Sequence, residues 1–172
     1  GGSTDVLGRI VAVKLAEALG QQVIVDNRGG AGGIIGTDIV VKSPPDGYTL
    51  LMTASAPIAI NVTLMKNVPY DPGKDLAPVS RIGSTPLVLV IHPSVPARSV
   101  KELIALLRAR PDDFTYASAG NGTPQHLSAE LFKTLAGVKM NHVPYKGSGP
   151  AMIDVISGQI PITFEVFITA LA

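Results

Sequence analysis

The 172-residue chain can bury about 70% of its unfolded surface in one domain or two small lobes, and having no Cys it can build neither a disulfide framework nor a thiol nucleophile. Fourteen Lys and Arg residues balance 13 Asp and Glu, and no basic cluster exceeds two residues, so the dense phosphate contacts on which nucleic-acid binding rests are missing. Apolar residues make up 46%, yet no apolar run approaches the roughly 20 residues of a membrane helix, and the chain itself is not expected to span a bilayer.

The chain opens on Gly1-Gly2-Ser3-Thr4-Asp5, with no Met or basic leader, and stops inside the apolar stretch Phe164 to Ala172. Both ends read as cuts in a longer polypeptide. Val6, Leu7, Ile10, Val11, Leu15 and Leu19 recur at three- and four-residue steps before Gly20, which predicts an amphipathic helix with a glycine stop. Val23-Ile24-Val25 reads as a short strand, the run Asp26 to Gly33 as a flexible loop, and Ile34 to Lys42 as a second helix. After the turn Ser43 to Gly47, Tyr48 to Thr53 reads as another strand that ends in the small-residue loop Ala54-Ser55-Ala56-Pro57.

Residues 66 to 86 are rich in Pro, Gly, Asp and Lys, and Leu87 to Ile91 is then a continuous apolar strand. The composition changes between Thr85 and Pro96, which divides the chain into lobes of residues 1–88 and 89–172. Ser99-Val100-Lys101-Glu102 is a capping box in which the Ser99 hydroxyl and the Glu102 carboxylate serve each other's backbone amides. The helix it opens runs to Ala109; Thr115 to Ser118 is a strand; Thr123-Pro124 caps a helix that stops at Gly137. Lys139 to Tyr145, Pro150 to Ser157 and Ile160 to Val166 complete the pattern as strand, helix and strand. The fold class is α/β, each lobe an open, mostly parallel sheet flanked by helices. Ligands of such sheets sit beyond the carboxyl ends of the strands, so two facing lobes make a binding cleft.

Most catalytic motifs fail on spacing. Gly30-x-Gly32 has Ile35 where a dinucleotide fingerprint needs glycine, and no Gly-Lys-Ser/Thr occurs. His92, His126 and His142 fall on separate elements without metal-ligand spacing, so no metal or cofactor is signalled. Ser118 stands between a strand and a helix, but Tyr116 replaces the glycine of a nucleophile elbow. Asp5 and Glu165 fall at element ends, where caps and surface pairs are common. What remains is a repeated device: Gly1 to Asp5 before one helix and Ala119-Gly120-Asn121-Gly122-Thr123 before another, small and hydroxyl-bearing. The free amides of a first helical turn suit a carboxylate, while Ser3, Thr4 and Thr123 are equally readable as plain helix caps.

Six ordered motifs carry a resemblance: Gly1 to Asp5, Asn27 to Gly33, Pro45 to Leu51, Pro69-Tyr70-Asp71-Pro72, Tyr116 to Thr123 and His142 to Gly147. In order and spacing they are similar to the tripartite tricarboxylate transporter receptor family, the Bug-type periplasmic solute-binding proteins. The resemblance implies a two-lobed Venus-flytrap of the type II periplasmic binding protein class, here partial at both ends, that is no enzyme. It implies a small carboxylate as ligand, membrane transporter subunits as partners and a periplasmic location. By the same resemblance the ligand is clasped by Gly2, Ser3, Thr4 and Asp5 and by Ala119, Gly120, Asn121, Gly122 and Thr123, with Ala54, Ser55 and His126 as wall and Glu165 at the end of the last strand. Glu165 stands where many members have Asp, and Ile58 where His is common. A ligand sensor, or a hydrolase using Ser118 with His126 or His142, are the alternative readings.

Overall fold

The computed structural model describes residues 2–171; Gly1, in the first expected ligand loop, and Ala172, at the end of the expected second lobe, lie outside the described residues. The chain divides into two compact units, Gly1–Ser84 and Thr85–Ala172.

In the first unit, α1 (Ser3–Leu19) starts three residues before its first apolar position and ends where predicted. Gly20 adopts the left-handed conformation there and donates its N–H to the Ala16 carbonyl at 3.0 Å. A 3-10 turn, Ala31–Gly33, leads into α2 (Ile34–Val41). Gly33, at φ 92, lies so close to Pro57 that an added Cβ would stand 3.0 Å from its ring, so this position requires glycine on two counts. Pro57 belongs to a π-helical turn, Ala56–Ile60, that runs into α3 (Asn61–Leu64). The buried Asn61 amide donates to the Gly32 carbonyl at 3.2 Å, and the Tyr70 hydroxyl to Pro57 at 2.9 Å, which ties the glycine loop and the turn together. Asp71 caps the short α4 (Pro72–Asp75).

The strands expected at Val23 to Val25 and Tyr48 to Thr53 do not form: neither segment has a ladder among the described residues. A strand exists only through a paired neighbour, and apolar β-branched composition cannot supply one. Ile24 and Tyr48 are accordingly exposed.

The second unit holds a four-stranded mixed sheet, β1 (Leu87–Ile91), β2 (Thr115–Ser118), β3 (Asn141–Pro144) and β4 (Ile162–Val166), in the order β1-β4-β2-β3. β2 is parallel to β3 and to β4, whereas β1 runs antiparallel to β4. Helices α5 (Val100–Ala109), α6 (Pro124–Ala136) and α7 (Ser148–Ile156) surround it, and the short α8 (Phe167–Ala170) follows β4. The α7 helix begins two residues before the expected Pro150. Ser99 Oγ accepts from the Glu102 amide at 3.2 Å as expected, but the Glu102 carboxylate returns to the amide of Arg98, not of Ser99.

Two apolar clusters cover opposite faces of the sheet. Leu103 and Leu107 of α5, Ala129 of α6, Phe114, Tyr116, Met140 and Ile162 form one, and Ala117 packs with Ala151 and Val155 of α7 in the other. Successive side chains of a strand point to opposite faces, so Tyr116 and Ser118 face one way and Ala117 the other. Because Ala117 lies opposite Thr163, Glu165 projects to the α7 face, beyond the end of β2.

Candidate carboxylate-binding loops

The loop from Ser118 to Thr123 leaves the carboxyl end of β2 and enters α6, and its side chains fold back on its own backbone. Ser118 is fully buried; its Oγ accepts from the Gly120 amide at 3.1 Å and lies 2.6 Å from His142 Nε2. Thr123 Oγ1 donates to the Gly120 carbonyl at 2.7 Å and accepts from the His126 amide at 3.4 Å, the N-cap that Thr-Pro predicts. Gly122, at φ 74, donates its N–H to His126 Nδ1 at 3.2 Å. Asn121 alone in this loop is exposed. The loop is thus held by its own side chains together with His126 of α6 and His142 of β3, with its peptide groups fixed at the start of a 13-residue helix.

Beneath it lies a stack of three rings. Parallel pairing places Tyr116 directly opposite His142, and their rings stack at 4.8 Å; His126 stacks on the other side of His142 at 4.3 Å. The Tyr116 hydroxyl donates to Glu130, which also pairs with Lys133 at 2.7 Å. Burial, reinforced by the Glu130 carboxylate, pushes the Tyr116 phenol far up. Burial works against the charged form of Glu130, but the Lys133 ammonium and the Tyr116 hydroxyl together hold its carboxyl below the usual value. Burial pushes His142 down to about 4, helped by His126, and pushes His126 down as well. Both rings are neutral at pH 7.

On the other face, Glu165 is fully buried and ties three segments together. Its Oε1 accepts from Ser148 Oγ at 2.9 Å, from Gln125 Nε2 at 3.3 Å and from the Val166 amide at 2.7 Å. Gln125 and Ser148 belong to the first turns of α6 and α7, whose dipoles favour a negative charge at that end. Oε2 has no hydrogen-bond partner among the described residues, and neither does Thr169 Oγ1 in the turn after β4.

In the first unit, Gly2 is the N-cap of α1 at φ 126, and no side chain caps this helix, so Ser3 and Thr4 lie in its first turn without being caps. Asp5 accepts from Asn27 Nδ2 at 2.8 Å and pairs with Arg9 at 2.9 Å; the Asn27 hydrogen bond is the main reason its carboxyl sits below the usual range. Its side chain joins the start of α1 to the loop before the glycines. Ala54 and Ser55 are exposed at the entry to the π-helical turn.

The sequence profile of the tripartite tricarboxylate transporter family receptor matches residues 7–172. The chain belongs to this family. It is 48% identical over 166 residues to protein BugT of Bordetella pertussis, covering 96% of this chain and 51% of BugT. The structure of Rpa4515 of R. palustris with adipate superposes with a TM-score of 0.95 at 38% identity, over 98% of this chain and 56% of that one. MatC of Rhodopseudomonas palustris with bound malate gives 0.92 at 29% identity, over 99% and 58%. The chain thus spans about half the length of the relatives it matches. The family is one of solute-binding receptors, not of enzymes.

That membership gives the Ser118–His142 contact its context. The pair resembles a nucleophile and its base, but in this chain Ser118 is enclosed and its oxygen already serves the Gly120 amide. Among the described residues no group of His, Cys, Asp and Glu could hold a metal, and no helix is long and apolar enough to cross a membrane. Sequence reasoning did not place Gln125 or Ser148 near the candidate loops, and it brought His142 to Ser118 only in the alternative hydrolase reading. The signal for His142 was the alignment of two strand starts, Thr115-Tyr116 and Asn141-His142, whose register only the fold determines.

Proposed function

We propose that the chain is the ligand-capturing part of an extracytoplasmic receptor that binds a small carboxylate and delivers it to a tripartite tricarboxylate-type membrane transporter. The observation that carries this reading is the match of nearly the whole chain to two relatives whose structures hold adipate and malate. The Ser118 to Thr123 loop is suited to carboxylate capture. Gly120 at φ 133 and Gly122 at φ 74 leave no side chain over the backbone, and Asn121 between them is exposed to an oxyanion, while the Gly120 and Gly122 amides are held by Ser118 Oγ and His126 Nδ1 and keep the loop in shape. Gly2, Ser3, Thr4 and Asp5 are the counterpart in the first unit, the N-cap and first turn of a 17-residue helix. Ala54, Ser55 and His126 are wall residues in this reading, and Glu165 fixes the helix starts around the site. Binding that favours one conformation stabilises it by the difference in affinity, so no covalent step is required.

The test is titration calorimetry of the full-length protein against mono-, di- and tricarboxylates, with adipate and malate as the first probes. Saturable one-site binding of one acid class is expected, together with a rise in melting temperature that grows with ligand concentration. A folded protein that responds to none of them refutes the reading.

A further inference from the structure

The ring stack under the Ser118 to Thr123 loop does something that neither packing nor direct ligand contact explains. His126 is half-buried, and its Nδ1 receives the Gly122 N–H at 3.2 Å. The nitrogen that faces the loop therefore carries no proton, and the ring's own proton is on Nε2. The plane of the ring is set by His142, stacked at 4.3 Å with the two planes 16° apart, and His142 is set by Tyr116 at 4.8 Å on its far side. The same His142 reaches Ser118 Oγ, the acceptor for the Gly120 amide. Two of the loop's peptide groups are thus oriented by imidazoles, one directly and one through a serine.

We propose that His126 is a positioning residue for ligand capture: through the Gly122 amide it holds the Ser118 to Thr123 loop in the shape that receives a carboxylate, and protonation of its ring releases that hold. The inference rests on the proposed function and adds to it a role for a ring that the resemblance made a wall residue. A protonated Nδ1 would be a second donor facing the Gly122 N–H, and the hydrogen bond could not survive. The groups around the ring are few. Glu130 and Lys133 face it from its own helix, the first favouring and the second opposing protonation. His142 faces it from β3, and Tyr116 of β2 lies beyond His142 with its hydroxyl on Glu130. Glu165 of β4 is turned to Ser148 and Gln125.

A cationic imidazole that touched the ligand itself would strengthen carboxylate binding in acid; a loop-holding imidazole weakens it. The experiment compares the full-length wild type with His126→Phe, which keeps a stacking ring without an acceptor, and His126→Asn, whose Oδ1 can take the place of Nδ1. Affinities for adipate and malate are measured by calorimetry from pH 7.5 to 5, and the ratio of variant to wild type at each pH cancels the titration of the acid probe. At pH 7.5 His126→Phe is expected to bind about tenfold more weakly, the worth of one hydrogen bond, and His126→Asn within about threefold of wild type. As the pH falls, the wild type should lose affinity relative to His126→Asn. The inference is overturned if His126→Phe binds as tightly as wild type, if Asn fails to restore what Phe loses, or if the wild type gains affinity over His126→Asn in acid. A wild type that binds neither acid at any pH overturns the proposed function and this inference with it. Binding with an unchanged ratio overturns this inference alone.

Discussion

Glu165→Leu removes the acceptor at which the starts of α6 and α7 meet β4. The side chain is fully buried, and its Oε1 takes three donors: the Val166 amide at 2.7 Å, Ser148 Oγ at 2.9 Å and Gln125 Nε2 at 3.3 Å. Removing the acceptor leaves a buried donor at each point, at about 1–3 kcal/mol apiece. Ser148 and Gln125 soften their share, since the Gln125 amide already donates to Ser148 Oγ at 3.2 Å. Losing the unpartnered Oε2 and gaining an apolar side chain returns about 1–2 kcal/mol. The net expectation is a loss of about 2–3 kcal/mol of stability. Glu165→Gln keeps an acceptor for all three donors but removes the charge that strengthens them, and should lose about 1–2 kcal/mol. Urea denaturation of the full-length protein, followed by circular dichroism, measures both. The order wild type, Gln, Leu is required. A Leu variant as stable as wild type would refute the claim that this carboxylate fastens the starts of α6 and α7, because removing an acceptor on which buried donors depend leaves those donors unsatisfied.

Two further expectations come from the same unit. Thr123→Val removes the N-cap of α6 and the bond to the Gly120 carbonyl, and should cost about 0.5–2 kcal/mol of stability, whereas Thr123→Ser should retain most of it; urea midpoints distinguish them. His142 falls from an ordinary 6.5 to about 4 in the fold, so between those pH values the unfolded chain binds the extra proton and stability declines as the pH falls. The full shift is worth about 3 kcal/mol, reduced by solvent screening to about 1–2 kcal/mol at this half-buried ring, and His142→Phe should flatten the slope of stability against pH over that window.

What could be read in advance is what the chain encodes within three or four residues. Ser99 before Glu102, Thr123 before Pro124, and the stops at Gly20 and Gly137 all stand in the fold as helix boundaries, because a cap is a contact between near neighbours and its geometry depends on little else. The expected strands of the first unit depended on partners, and apolar runs such as Val23 to Val25 carry no information about who pairs with them. The same distinction explains the capping box. Its serine half lay where expected, but the long Glu102 side chain had a choice of amides and took that of Arg98.

The candidate site lies between these cases. The loop from Ala119 to Thr123 stands where its small residues placed it, whereas Ser3 to Asp5, expected as a loop, is the first turn of α1, and what holds the Ala119 to Thr123 loop in shape could not be read from its composition. Tyr116 and His142 are 26 positions apart and meet only because β2 and β3 pair in parallel, in a register that also sets Ser118 beside the same imidazole. Glu165 lies at the end of β4 as expected, but it is no cap or surface pair: it is fully buried at the point where two helix starts and the strand converge. In each instance the loop's chemistry is local and its rigidity is not. Small residues open the backbone to a ligand, but small residues alone would leave it floppy, and ordering a loop on binding would weaken the affinity. The buried rings and the buried carboxylate supply that order beforehand, from positions beneath the loop and at the starts of α6 and α7.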